Sequence, residues 1–149
     1  MKKMLFFLLL SSFAFGQLTQ DSIQSIAKTH FEETYVTKYF KDIYSYELKK
    51  TWSAPIDKET ILIQNISVAQ SYVDKKLLPK KTQAEFVQRI SNMKAELQKL
   101  SGDEKRKIVA YDVYFDTYGA NSYGNKVLGK YILRYDAENK ILGDVTERR

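Results

Sequence analysis

The chain has 149 residues, a formal charge of +6, no cysteine, one histidine and 11 tyrosines. Without cysteine there are no disulfides, no thiolate nucleophile and no cysteine metal site, and a lone histidine leaves no second imidazole at a ligand spacing. The mildly basic balance suits contact with acidic envelope polymers or lipids and falls well short of a nucleic-acid footprint.

The first residues read MKKMLFFLLLSSFAFGQ. Lys2 and Lys3 precede a short apolar run, and Ala14-Phe15-Gly16 closes it. The run is too short to span a bilayer as a helix, and the pattern is that of a secretory signal peptide over residues 1–16. Cleavage after Gly16 would leave Gln17 first, with no cysteine nearby to be acylated. Residues 17–149 are then long enough for one domain with its own core, in a periplasmic or secreted location and without a transmembrane anchor.

Asp21 to about Tyr39 reads as a helix. Asp21 is placed as N-cap and Gln24 to close a capping box. Ile23, Ile26, Ala27, His30, Phe31 and Thr34 recur at helical spacing as one stripe. In KDIYSYELKKTWSAP, Tyr44, Tyr46 and Leu48 alternate with polar residues, predicting a first strand that ends before Pro55. Asp57 to Leu78 is β-branched enough for a strand, yet Leu62, Ile66, Ala69, Val73 and Leu77 keep a helical period, and helix is the reading preferred. Pro79, Lys80 and Lys81 break it. A second helix follows, with Thr82 and Glu85 as a capping box and Phe86, Ile90, Met93, Leu97 and Leu100 stepping as a seam. Ser101-Gly102 is its stop. The two helices, about residues 57–101, form an antiparallel hairpin.

From Lys107 the period becomes two. Val109, Tyr111, Val113 and Phe115 point one way, and Ala110, Asp112, Tyr114 and Asp116 the other. After a glycine-rich turn, Val127, Tyr131, Leu133 and Tyr135 resume a strand, and KILGDVTE makes a last short one. The class expected is α+β: an N-terminal helix, a helical hairpin insert and an antiparallel meander of about four strands. The N-terminal helix packs on the Val109–Phe115 face.

Candidate chemistry is sparse. His30 sits in the helical stripe without an orienting partner or a nucleophile-elbow serine, and reads as structural. Asp112 and Asp116 share a strand face and can hold an acid and a base in principle; charge pairing with Lys126, Lys130 and Arg134 across the hairpin explains them better. GANSYG lacks the lysine and the following helix of a phosphate loop. The clusters Lys49-Lys50, Lys75-Lys76, Lys80-Lys81 and Lys105-Arg106-Lys107 fall at element ends, where they are ordinarily solvated; docking on anionic glycans or head groups is the functional alternative. Asn65-Ile66-Ser67 fits an N-glycosylation triplet.

Asp21-Ser22-Ile23 resembles the aspartate–Ser/Thr–aliphatic O-glycosylation motif of exported proteins in Bacteroidetes-type bacteria, although helix capping also accounts for it. The order of parts, with Ser45-Tyr46-Glu47 at a strand start and Asn121-Ser122-Tyr123-Gly124 at a turn between two strands, resembles a group of small uncharacterised exported proteins and lipoproteins of such bacteria. The resemblance implies an envelope location and no known activity. Relatives often carry a basic residue shortly before the asparagine; here Tyr118-Gly119-Ala120 stands there.

In that turn Gly119, Asn121 and Gly124 suit positive φ, and Tyr118 and Tyr123 are placed to clasp across it. Turn chemistry alone explains the composition; a recognition loop on a rigid hairpin is the alternative. The function expected is a non-enzymatic interaction module that binds an envelope protein or an anionic polymer through Tyr118, Asn121, Tyr123 and Lys126, with no cofactor, no metal and no nucleic acid. The second expectation is a small-ligand carrier with a pocket between helix and sheet, lined by Phe31, Tyr35 and Tyr111.

Overall fold

A computed structural model describes residues 20–75, 79–138 and 140–148. The expected signal segment, and Lys76 to Leu78 at the end of the expected first hairpin helix, lie outside the described residues.

Helix α1 (Gln20–His30) buries Ile23 and Ala27, and Phe31 follows one turn later. Steps of four drift off a straight α-helical face. The chain responds with one wider turn, Phe31–Val36, of π type, before closing with α2 (Thr37–Tyr39). Five residues then complete about one turn, so Val36 is buried beside Phe31. The expected stripe is therefore narrower: Ile26 and Thr34 face solvent. The expected capping box is also absent. Asp21 lies inside the first turn, and Gln24 donates instead to Ser53 Oγ at 3.3 Å, tying the helix to the sheet.

The first strand starts later and runs further than its alternation suggests. Tyr44 belongs to a 3-10 turn (Ile43–Ser45), and β1 spans Glu47–Asp57, passing through Pro55. β1 is an edge strand, so the missing proline N–H costs no ladder bond. Asp57 caps α3 (Lys58–Asp74) by accepting from Thr60 N at 2.7 Å. Leu62 and Ala69 are buried and Ile66 and Val73 half-buried, as the helical spacing required.

Helix α4 (Lys80–Lys99) begins before Thr82, with Pro79 at its N-cap, so Thr82 and Glu85 do not form the expected box. Proline costs nothing at a helix start, where its missing N–H has no intrahelical partner to lose. Ile90 is buried, and Phe86, Met93, Leu97 and Leu100 are half-buried along the seam. Ser101 is a start, not a stop. It accepts from Glu104 N at 3.3 Å while Glu104 returns to Ser101 N at 2.9 Å, a true capping box for the short α5 (Gly102–Arg106). The insert closes at its base through Lys58 N to Lys107 O at 2.9 Å. Lys58–Glu96 at 2.9 Å and Lys105–Glu59 at 3.1 Å flank that closure.

β2 (Ile108–Ala120), β3 (Lys126–Asp136) and β4 (Thr146–Glu147) complete an antiparallel sheet of order β1-β2-β3-β4. The protein is α+β, with the helical hairpin inserted between β1 and β2. The core lies between α1, its π turn and one sheet face: Ile23, Ala27, Phe31 and Val36 against Tyr111, Val113, Phe115, Leu133 and Tyr135. Phe31 is its centre, stacked on Phe115 at 4.5 Å and on Tyr35 at 5.3 Å. Across the sheet, α3 packs on the ends of β1 and β2, and Ile56 and Ala110 are buried there. The rest of that outer face has no helix over it among the described residues.

Candidate binding site at the hairpin end

The β2–β3 turn is organised by one side chain. Asn121 Oδ1 accepts from Tyr123 N at 2.9 Å and from Asn125 N at 3.0 Å, while Gly124 N donates to Asn121 O at 3.0 Å. Gly124 has φ 79°, as its position demands. Gly119 serves differently from expectation. It is an ordinary strand residue, and a Cβ there would lie 2.7 Å from the Phe40 ring. Glycine is needed for that close approach rather than for a left-handed turn. Nor do Tyr118 and Tyr123 clasp. Tyr123 is 87% exposed and makes no ring pair among the described residues. Tyr118 lies between two ammonium groups, Lys126 at 4.3 Å and Lys49 at 5.4 Å.

The segment 42–47 is bonded to this turn. Ser45 Oγ accepts from Ala120 N at 2.8 Å and donates to Asp42 O at 2.7 Å. Glu47 forms an ion pair with Lys126. The Tyr46 hydroxyl donates to Glu32 Oε1 at 3.0 Å, and burial together with that carboxylate raises its pKa. Ser45-Tyr46-Glu47 and the Asn121 turn, far apart in sequence, are thus one structural unit. Tyr44, beside it, is 94% exposed.

On the outer sheet face the two aspartates are held by arginines. Asp112 lies opposite Arg134 in register and takes it through both oxygens, at 2.6 and 2.8 Å. Asp116 does not take Lys130, its register partner; Arg148 reaches it at 3.1 Å. Lys126 is likewise committed to Glu47 rather than to an aspartate. The Arg148 guanidinium also sits 4.7 Å over the Tyr114 ring and 5.2 Å over Trp52, which stack on each other at 5.1 Å. The sequence offered no signal for Arg148, because its place depends on β4 joining the sheet.

A cleft of about 360 Å³ opens on the helix-bearing face at the same end. Its walls include the rings of Tyr35, Tyr39, Phe40 and Tyr131. Gly119 and Gly129 lie in it, where larger strand side chains would fill the space. A Cβ on Gly129 would stand 2.6 Å from the Tyr131 hydroxyl, which folds back over it. Thr117 is fully buried there, and its Oγ1 has no partner among the described residues. Burial, the Glu147 carboxylate and Tyr39 raise the Tyr35 pKa. Burial, Tyr35 and Glu147 push Tyr131 up to about 12.

This corrects the expected pocket. Phe31 and Tyr111 are sealed in the core, and of the three expected lining residues Tyr35 alone reaches the cleft. The cleft depends on Gly129 and Glu147, and a glycine inside the apolar run of β3 is its one sign in the sequence. Of the four expected binding residues, Tyr118, Asn121 and Lys126 have side chains held in local contacts, while Tyr123 is tied in through its backbone N–H and leaves its ring exposed. His30 is half-buried beside Thr34, whose hydroxyl donates to His30 O at 2.6 Å. Among the described residues no group of three or more His, Asp or Glu is placed to hold a metal ion, and no helix is long and apolar enough to cross a membrane. No family model, curated protein or solved structure matches the chain.

Proposed function

We propose that the chain is a non-enzymatic exported interaction module of the cell envelope, which binds an envelope protein or an anionic envelope component with the hairpin end of its sheet. The observation that carries this reading is the exposure of Tyr44 and Tyr123, both almost fully open to solvent, on two segments bonded through Ser45 and Ala120. Tyrosine offers rigid area and a hydroxyl at little entropic cost, and exposed rings of this kind anchor interfaces. Lys49 and Lys126 stand over the Tyr118 ring on the same hairpin, Lys126 also paired with Glu47. Asp112 and Asp116 on the outer sheet face are engaged by Arg134 and Arg148, which speaks against acid–base work on that face.

The test is capture from envelope extract with the mature chain tagged at its C-terminus, at low and high salt. A partner retained at high salt supports a specific apolar anchor; one lost at high salt identifies the lysines and a polyanion. Tyr123→Ala should weaken capture several-fold and leave the melting temperature unchanged, because Tyr123 covers nothing. Equal capture by the variant would remove the hairpin end from the interface.

A further inference from the structure

The cleft is a second feature of the molecule, and its chemistry is unlike that of the surface around it. The protein carries a formal charge of +6, yet the Glu147 carboxylate has no hydrogen bond or ion pair among the described residues. It is held on the cleft side of the sheet because Glu147 pairs with Tyr131 in the β3–β4 register. Three phenol rings lie close together there: Tyr35 and Tyr39 at 4.7 Å, Tyr35 and Tyr131 at 5.1 Å. Phenol faces attract cations, and the outermost already does so, with the Lys38 ammonium 4.9 Å over Tyr39. The floor holds the Thr117 hydroxyl, which has no partner among the described residues, a group whose burial is costly until something bonds to it. Aromatic walls, one free carboxylate and one orphaned hydroxyl describe a site for an ammonium group on an apolar body.

We infer that the cleft between the π turn and the hairpin binds a small organic amine, its ammonium held by Glu147 against the faces of Tyr35, Tyr39 and Tyr131. The volume of about 360 Å³ suits a molecule of single-ring size. Lys41 at the cleft distinguishes two sources of such an amine. A simple amine leaves Lys41 idle, whereas an amino acid presents it with a carboxylate. This inference stands apart from the partner surface, since Tyr44 and Tyr123 do not line the cleft.

The experiment is calorimetric titration of the purified chain with phenethylamine, its neutral counterpart phenethyl alcohol, and phenylacetate. The amine should bind, with the alcohol weaker by about tenfold or more, the usual loss for a charge-assisted contact. Glu147→Gln should abolish that preference with the melting temperature held, since the side chain is exposed and has no partner among the described residues. Phenylalanine binding more tightly than phenethylamine, with the gain lost in Lys41→Gln, identifies the amino-acid source; no gain identifies the simple amine. Equal affinity for alcohol and amine, stronger binding of phenylacetate, no binding of the amine, or an unchanged amine affinity in Glu147→Gln would each overturn the inference.

Discussion

Phe31→Ala is the most exacting test of how this fold is held together. Phe31 is fully buried and is ringed by Phe115 at 4.5 Å, Tyr35 and Tyr131 at 5.3 Å, and Tyr46 at 6.4 Å. Removing the ring forfeits about 1.5–3 kcal/mol of burial, about 0.5–1.5 kcal/mol for each close aromatic pair, and leaves a cavity the neighbours cannot fill. Measured losses for such truncations are about 3–5 kcal/mol, a large part of the roughly 5–15 kcal/mol that holds a domain of this kind. The expected outcome is a fall of about 10–20 °C in melting temperature and a matching drop in urea midpoint at unchanged slope. Phe31→Leu, which keeps most of the volume, should lose well under half as much. A loss below about 1 kcal/mol in Phe31→Ala would refute the placement of this ring at the centre of the core.

Three further outcomes follow from the same geometry. Leu97→Asp puts a charge on the half-buried α3–α4 seam and should unfold the helical hairpin first, seen as amide-exchange protection lost in α3 and α4 while β2 and β3 stay protected; unchanged melting would mean the seam is not packed. Arg134→Ala leaves the buried Asp112 carboxylate without its two-point partner and should cost about 3–5 kcal/mol; Asp112→Asn combined with Arg134→Gln should recover part of it, and a single variant that melts like the parent would contradict the pairing. Tyr131 and Tyr135 are pushed up to about 12 by burial. Folded phenols therefore keep their protons above the ordinary value near 10, so their contribution to stability is full below pH ~10 and is lost as the pH rises toward ~12. Tyrosinate absorbance should show a late-titrating set that appears together with unfolding; titration of every tyrosine near the ordinary value in the folded state would contradict their burial.

Much of the architecture was legible in the residues because it is periodic. The two-residue alternation of Val109 to Phe115 and the helical seams of α3 and α4 each state a face, and burying that face is what fixes the element. The errors cluster at element ends. Short capping patterns mislead at Asp21, Thr82 and Ser101: Asp21 lies inside the first turn of α1 and Gln24 bonds Ser53, Pro79 supplies the N-cap of α4, and Ser101 opens a helix of its own. Tyr44 alternates like a strand residue, but its neighbour Ser45 is drawn to Ala120, and the chain turns there instead.

The sequence by itself determined the α+β class, the meander and the inserted helical hairpin, all of which rest on local period. Only the tertiary structure decided what the turn and the cleft are made of. Ser45 meets Ala120, Glu47 meets Lys126, Arg148 meets Asp116, and Glu147 lies opposite Tyr131 in the β3–β4 pair. Each of these contacts joins residues whose separation carries no repeat. Their meeting is set by strand order and by a single π turn that re-aims one helix face, and neither leaves a periodic trace in the chain.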